Sequence, residues 1–200
     1  MAMRRQDAIE VLAAARNGLV TVATMQSVRP WHEIGQATSD HLDAMGCMGS
    51  ASSLGLGIAL ARPERKVLVF DGDGSLLMQL GSLVTVAGAA PKNYYLFVFE
   101  NGVYETSGNQ EIPALGRLDF CALALGAGFP QALSFASREA FERGLPDVLA
   151  SEGPALIRLE IERDDEPIRW PKVRMADEVQ ALRAALAAHD TAEEPLAAHA

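Results

Sequence analysis

Apolar positions change their period several times along the chain, and each change marks an element. From Met3 to Arg16, Ala8, Ile9, Leu12 and Ala15 recur at helical intervals with charges between them, which predicts an amphipathic helix ending near Asn17-Gly18. Leu19 to Ala23 reads as a short buried strand. Ser27-Val28-Arg29-Pro30-Trp31 then starts a helix with Pro30 tolerated in its first turn. A glycine-rich stretch from Gly46 becomes helical through Leu54, Ile58 and Ala61. Val67 to Phe70 and Tyr94 to Phe99 are continuous β-branched and aromatic runs, as expected of strands covered on both faces of a parallel sheet. Between them Leu76, Leu77, Leu80, Leu83, Val84 and Ala87 keep helical spacing, which predicts one helix from Ser75 onward. Further along, the pattern predicts a helix over Arg117 to Gly126, a strand over Ala132 to Phe135 and a helix over Arg138 to Leu149 capped by Ser137. Pro154 to Ile161 is the last strand. Pro167 to Pro171 is a linker with Trp170 docking on the body, and Met175 to His189 is a closing helix. Alternating strands and helices predict an α/β fold: a doubly wound, mainly parallel sheet with helices on both faces, in one domain over residues 1–190. Residues 191–200 have Leu196 as their one large apolar group and read as a disordered tail.

Composition narrows the function. The chain has 200 residues, 49% of them hydrophobic, enough for one well-buried domain and too little for two ordinary ones. A formal charge of −9, with 17 basic residues in no run or stripe, argues against a nucleic-acid surface. Local groups must therefore draw in any anionic substrate. Two cysteines, Cys47 and Cys121, read as buried free thiols of a reducing compartment. Met1 to Arg16 carries Asp7 and Glu10 and no long apolar core, unlike a secretory leader. No apolar stretch of membrane-spanning length occurs without glycine or charge, so the expected location is the cytoplasm.

The chemistry gathers at two turns. Gly72-Asp73-Gly74 ends the first long strand and opens a helix, whose free N–H groups can face an anion. Glu100-Asn101-Gly102 ends the second strand. If the unit is a parallel βαβ crossover, both turns lie on the carboxyl edge of the sheet, where open α/β sheets place ligands, and Asp73 and Asn101 are neighbours in space. A carboxylate and an amide oxygen there make a hard-cation site that ligand phosphate oxygens could complete around Mg²⁺. Each turn read alone is equally a tight connection. Thr24 to Ser27 lies on the same edge if the strand before it joins the sheet. Arg29 is either a fork for a substrate anion or a surface charge at a helix start. His32 and His41 are either proton carriers or structural helical side chains. Glu105 to Leu118 is polar and punctuated by proline. It reads either as a cover over the site, with Thr106, Ser107 and Asn109 touching ligand, or as a solvent loop.

Gly72-Asp73-Gly74-Ser75, followed 28 residues after Asp73 by Asn101 and then Gly102-Val103-Tyr104, resembles the thiamine-diphosphate signature of the diphosphate-binding (PP) domain in thiamine-diphosphate-dependent decarboxylases. Gly46-Cys47-Met48-Gly49-Ser50-Ala51-Ser52-Ser53-Leu54-Gly55-Leu56-Gly57 resembles the glycine-rich segment that precedes that signature. The phrases MGSASSLGLGIAL, GDGSLLMQLGSL and TSGNQ are similar to sulfopyruvate decarboxylase β subunits and to the matching half of phosphonopyruvate decarboxylases. The likeness covers roughly residues 40 to 185 and is more specific for the cofactor than for the substrate.

The resemblance implies a β-type subunit of a heteromeric 2-oxo acid decarboxylase acting on a 3-sulfo- or 3-phosphonopyruvate-like substrate. Asp73, Asn101 and the carbonyl of Val103 would hold Mg²⁺. Gly72, Gly74 and Ser75 would donate to the diphosphate, with Tyr104 beside it. The carbonyl of Gly46 would accept the aminopyrimidine amine, and Met48 would support the bent thiamine diphosphate, unless it is plain core filler. The resemblance places the activating glutamate on a pyrimidine-binding (PYR) α subunit, so no catalytic residue is assigned here. The assembly it implies is a hetero-oligomer with at least two copies of each chain. Two departures stand out: Ser27-Val28-Arg29-Pro30-Trp31 replaces a Ser-Arg-Glu-Leu-like run, and Glu105 stands where many relatives have glycine. The same motif also serves acetohydroxyacid synthase-like carboligases, and Glu105 leaves open a non-catalytic diphosphate-binding module.

Overall fold

A computed structural model describes residues 3–16, 18–34, 39–163 and 171–192. The expected helix end at Asn17, the docking of Trp170 and the tail 193–200 lie outside the described residues. Its frame is a six-stranded sheet in which every pairing is parallel. In chain order the strands are β1 (Val20–Ala23), β2 (His41–Asp43), β3 (Val67–Gly72), β4 (Tyr94–Glu100), β7 (Gln131–Phe135) and β8 (Ala155–Glu160). In space their order is β2-β1-β3-β4-β8-β7. A two-stranded hairpin, β5 (Val103–Tyr104) with β6 (Gln110–Glu111), stands apart from the sheet.

Each central strand is buried on both faces, so its alternate side chains feed two cores. Val69, Leu96, Val98 and Leu156 meet helices α3 (Ala51–Ala61), α5 (Ser82–Ala89) and α6 (Phe120–Ala127). Phe70, Phe97, Tyr95 and Ile157 face α1 (Arg5–Ala14), α2 (Val28–Glu33) and α7 (Arg138–Ala150) on the other side. The expected cap forms, Ser137 Oγ accepting the Ala140 N–H at 3.3 Å, and α6 has one as well, Asp119 Oδ1 accepting the Ala122 N–H at 3.0 Å.

Four expectations need correction. The helix read as continuous from Ser75 is two helices, α4 (Asp73–Met78) and α5, because Gln79 leaves helical geometry at φ −140°, ψ 46°. His41 is not on a helix. It sits in β2, a three-residue edge strand too short to show a period. The closing helix α8 (Met175–Ala192) extends three residues past His189 and into the stretch read as tail. Both cysteines are free as expected, but Cys47 is exposed rather than buried.

The order of strands sets the position of the site. From β1 the chain moves outward to β2, then crosses back to place β3 on the other side of β1. At that reversal the connections leaving β1 and β3 diverge to opposite faces and leave a crevice at their carboxyl ends.

Candidate active site

Thr24 to Ser27, at the end of β1, and Gly72 to Ser75, at the end of β3, open into this crevice. Asn101, Val103 and Tyr104, at the end of β4, complete its rim, with Phe99, Met48, Arg5, Glu105 and Thr106 as further walls. Met25 takes a left-handed φ of 50°, uncommon for a non-glycine residue, and turns the chain from β1 into the crevice wall.

Asp73 ties the two polar turns together. Its Oδ2 accepts the N–H groups of Asn101 at 3.1 Å and Gly102 at 2.7 Å, and its Oδ1 accepts the Gly74 N–H at 2.7 Å. Asn101 Oδ1 accepts the Val103 N–H at 2.9 Å, shaping the second turn. Burial pushes the Asp73 carboxyl up to about 6 even against these amides, with Glu100 adding repulsion. Asp71, fully buried beneath it, is pushed up to about 7 by burial against the pull of the Ser75 hydroxyl and the Gly72 N–H.

The glycines are spatial requirements. A Cβ on Gly74 would lie 2.5 Å from Cδ1 and Cε1 of Tyr104, so the ring lies directly on the bare turn. Gly49, at φ +84°, donates its N–H to Ser75 Oγ at 2.9 Å and joins the glycine-rich segment to α4. The amides expected to face an anion are engaged with neighbouring side chains: Gly74 N–H with Asp73, and Gly72 N–H with Asp71 Oδ1 at 3.0 Å.

Of the residues singled out from sequence, Met48, Gly72, Asp73, Gly74, Ser75, Asn101, Val103, Tyr104 and Thr106 share this one crevice. Gly46, Arg29, Ser107 and Asn109 are not among its walls. Arg29 lies 3.5 Å from Glu33 one turn along α2. Ser107 and Asn109 are exposed in the hairpin loop.

Arg5 was not foreseen. Its Nη2 donates to Glu105 Oε2 at 2.6 Å, with the two side chains 5% and 6% exposed. Met3 bridges to Ile161 just past the end of β8, so α1 begins at the carboxyl rim and brings Arg5 to the crevice. Glu105, whose charge raised a question beside a diphosphate, therefore meets a cation. Arg5 is the one positively charged side chain among the described walls, against the carboxyls of Asp73 and Glu105.

The donor set fits a hard divalent ion: a carboxylate, pushed up by its burial, and a side-chain amide oxygen share the crevice. Bare glycine backbone beside it suits close approach of a phosphate.

The family described as "Thiamine pyrophosphate enzyme, C-terminal TPP binding domain" matches residues 18–159. The chain is 36% identical over 183 residues to a phosphonopyruvate decarboxylase of Streptomyces viridochromogenes, covering 90% of this chain and 45% of that protein. It is 43% identical over 108 residues to a sulfopyruvate decarboxylase subunit beta of Methanocaldococcus jannaschii, covering 54% of this chain and 56% of the subunit. The chain thus spans about half the length of these curated relatives or less. Among solved structures, a thiamine diphosphate-dependent 4-hydroxybenzoylformate decarboxylase from Rhodococcus jostii superposes with a TM-score of 0.63 at 21% identity. That match covers 82% of this chain and 34% of the other, and it supports the fold.

Proposed function

Because the chain belongs to the thiamine pyrophosphate enzyme family, as its C-terminal TPP binding domain, we propose that it is the β-type subunit of a thiamine-diphosphate- and Mg²⁺-dependent 2-oxo acid decarboxylase. Its substrate is a 3-sulfo- or 3-phosphonopyruvate-like acid. The observation that carries this reading is the Asp73 carboxylate, drawn to the Asn101-Gly102 turn at the crevice where β1 and β3 part.

Asp73, Asn101 and the Val103 carbonyl would hold the ion. Gly72, Gly74 and Ser75 would meet the diphosphate beside Tyr104, and Met48 would lie under the rings. When bound, thiamine diphosphate supplies an electron sink for the bond that breaks as CO₂ leaves a 2-oxo acid. The chain's own part is to anchor, bend and shield. Since Asp73 holds the Gly74 amide at 2.7 Å, a phosphate competes poorly for that amide until a cation engages the carboxylate. Ion and diphosphate should therefore bind cooperatively. Arg5 and Glu105 neutralise one another on the wall, so the ion supplies the positive charge that a diphosphate needs in a chain of net −9.

A PYR-type partner would supply the activating glutamate and cover the crevice. Relatives named as subunit beta support such a partner, and so does the surface. Side by side, α3, α5 and α6 expose Leu54, Leu60, Val84 and Leu125. The test combines this chain with a PYR-type α subunit, thiamine diphosphate and Mg²⁺, and follows CO₂ release from 3-sulfopyruvate and 3-phosphonopyruvate. The isolated chain should bind the cofactor weakly, only with Mg²⁺, and decarboxylate nothing. Turnover by the isolated chain would overturn the partner requirement. Absence of Mg²⁺-dependent binding in the assembled pair would overturn the function.

A further inference from the structure

A second convergence of polar side chains lies outside the crevice, where Asp43 ends the edge strand β2. His41 Nε2 is 2.6 Å from Asp43 Oδ1, and His32 Nε2, from α2, is 2.8 Å from Asp43 Oδ2. Glu178, arriving from α8, places Oε1 3.7 Å from His32 Nε2, and its Oε2 accepts the Asp43 N–H at 3.1 Å. One ligand atom from each of the four lies within 4.8 Å of the others, the one such group among the described residues. The closing helix α8 comes from far along the sequence to meet α2 and β2 here, and no feature of the proposed chemistry requires it to.

We propose that His32, His41, Asp43 and Glu178 form a structural site for a divalent transition-metal ion of the zinc type, clamping α8 to the edge of the sheet. Two imidazole nitrogens with two carboxylates suit borderline-soft zinc, whereas Mg²⁺ takes oxygen ligands in a near-ideal octahedron. Zinc bonds of about 2.0–2.2 Å set tetrahedral ligand atoms roughly 3.3 Å apart. The 2.6 and 2.8 Å contacts run to different oxygens of Asp43 and the 3.7 Å contact to Glu178, and one ligand atom from each residue stays within 4.8 Å of the other three, a span that a small closure onto an ion would bring to that value. Charge points the same way, because two carboxylates drawn together at a largely enclosed position are balanced by a doubly charged ion.

The surroundings fix the ligands as metal sites do. His41 Nδ1 lies 2.7 Å from Thr21 Oγ1 on the neighbouring strand, holding the ring so that Nε2 faces Asp43. Trp31, itself packed on Phe70 at 4.9 Å, shelters His41 with ring centroids 6.0 Å apart. Four protein ligands leave no open position, the pattern of a structural rather than catalytic zinc site. None of the four lines the crevice, so the proposal does not depend on the reading of that site.

The test uses untagged chain stripped by chelator and dialysed, then titrated with ZnCl₂ against a chromophoric zinc chelator. Wild type and D73N should each take up one zinc per chain, with Mg²⁺ failing to compete. H32Q and E178Q, folded by circular dichroism, should bind at least about tenfold more weakly. Co²⁺ should give the visible bands of tetrahedral coordination in wild type, lost in both variants. Should H32Q fail to fold, E178Q, altered on α8 outside the sheet, carries the comparison. No stoichiometric uptake, or equal affinity in H32Q and E178Q, would leave the cluster as a histidine–carboxylate hydrogen-bond network only. Loss of zinc in D73N alone would move the ion to the crevice. Each of these results overturns the proposal.

Discussion

Gly74 has no room for a side chain, since an added methyl would meet the Tyr104 ring at 2.5 Å. G74A should displace that ring and weaken Mg²⁺–thiamine diphosphate binding by at least about tenfold in calorimetry on the assembled enzyme, a 1.4 kcal/mol effect or more. G81A, which meets nothing within 4 Å, should bind as wild type. Equal losses in both would show that Tyr104 is not the reason. The Arg5–Glu105 pair is nearly sealed from water, and removing one partner of such a pair strands the other's charge. E105Q should cost on the order of 3 kcal/mol in urea unfolding, and R5M/E105M together should recover most of it. An E105Q protein as stable as wild type would count against the pair. These residues also show how far a sequence can be read. Glu105 stood out as a charge where many relatives have glycine, but its cationic partner lay 100 positions away. Arg5 reaches it because Met3 joins the end of β8, and no local pattern encodes that pairing.

At the scale of elements, β3 and β4 were legible because long apolar β-branched and aromatic runs have few other places to go. With both strands placed, the Asp73 and Asn101 turns fell on one edge. Helical spacing revealed nothing of the break at Gln79, because the apolar residues keep their period on both sides of it. β2 escaped notice because three residues show no period, and the histidine cluster went with it. Packing between elements gives a paired test on one helix. Gly55 presses α3 onto the sheet, where an added Cβ would stand 2.2 Å from Val69 Cγ2, while Gly57 of the same helix meets nothing within 4 Å. Overpacking costs about 1–3 kcal/mol, against roughly 1 kcal/mol gained in helix propensity. G55A should therefore lower stability by up to about 2 kcal/mol, net of the two, and V69A should relieve it. G57A should raise stability by about 0.5–1 kcal/mol. Chemical unfolding of the three proteins checks the order, and a stabilised G55A would show that α3 can lift off the sheet at no cost.

Across the whole molecule, the sheet divides the apolar interior into two cores whose outer helices differ. On one side α7 turns charged residues such as Glu142 and Arg143 to solvent. On the other, α3, α5 and α6 are apolar around most of their circumference, as buried helices are. Val84 is 62% exposed on the middle helix, Leu60 56% on one neighbour and Leu125 51% on the other. A chain of net −9 that keeps such side chains outward gains nothing from them in its own folding. A covering chain of the kind proposed above would bury them. Val84 is the place to ask. A charge there should leave the unfolding midpoint within about 0.5 kcal/mol of wild type, because the side chain is already in water. Inside a desolvated interface the same charge is unpaired and costly. V84E should therefore weaken association with a PYR-type α subunit by at least about tenfold in sedimentation velocity, which is 1.4 kcal/mol. If V84E assembles as tightly as wild type, the partner docks elsewhere and the α3–α5–α6 face has another purpose.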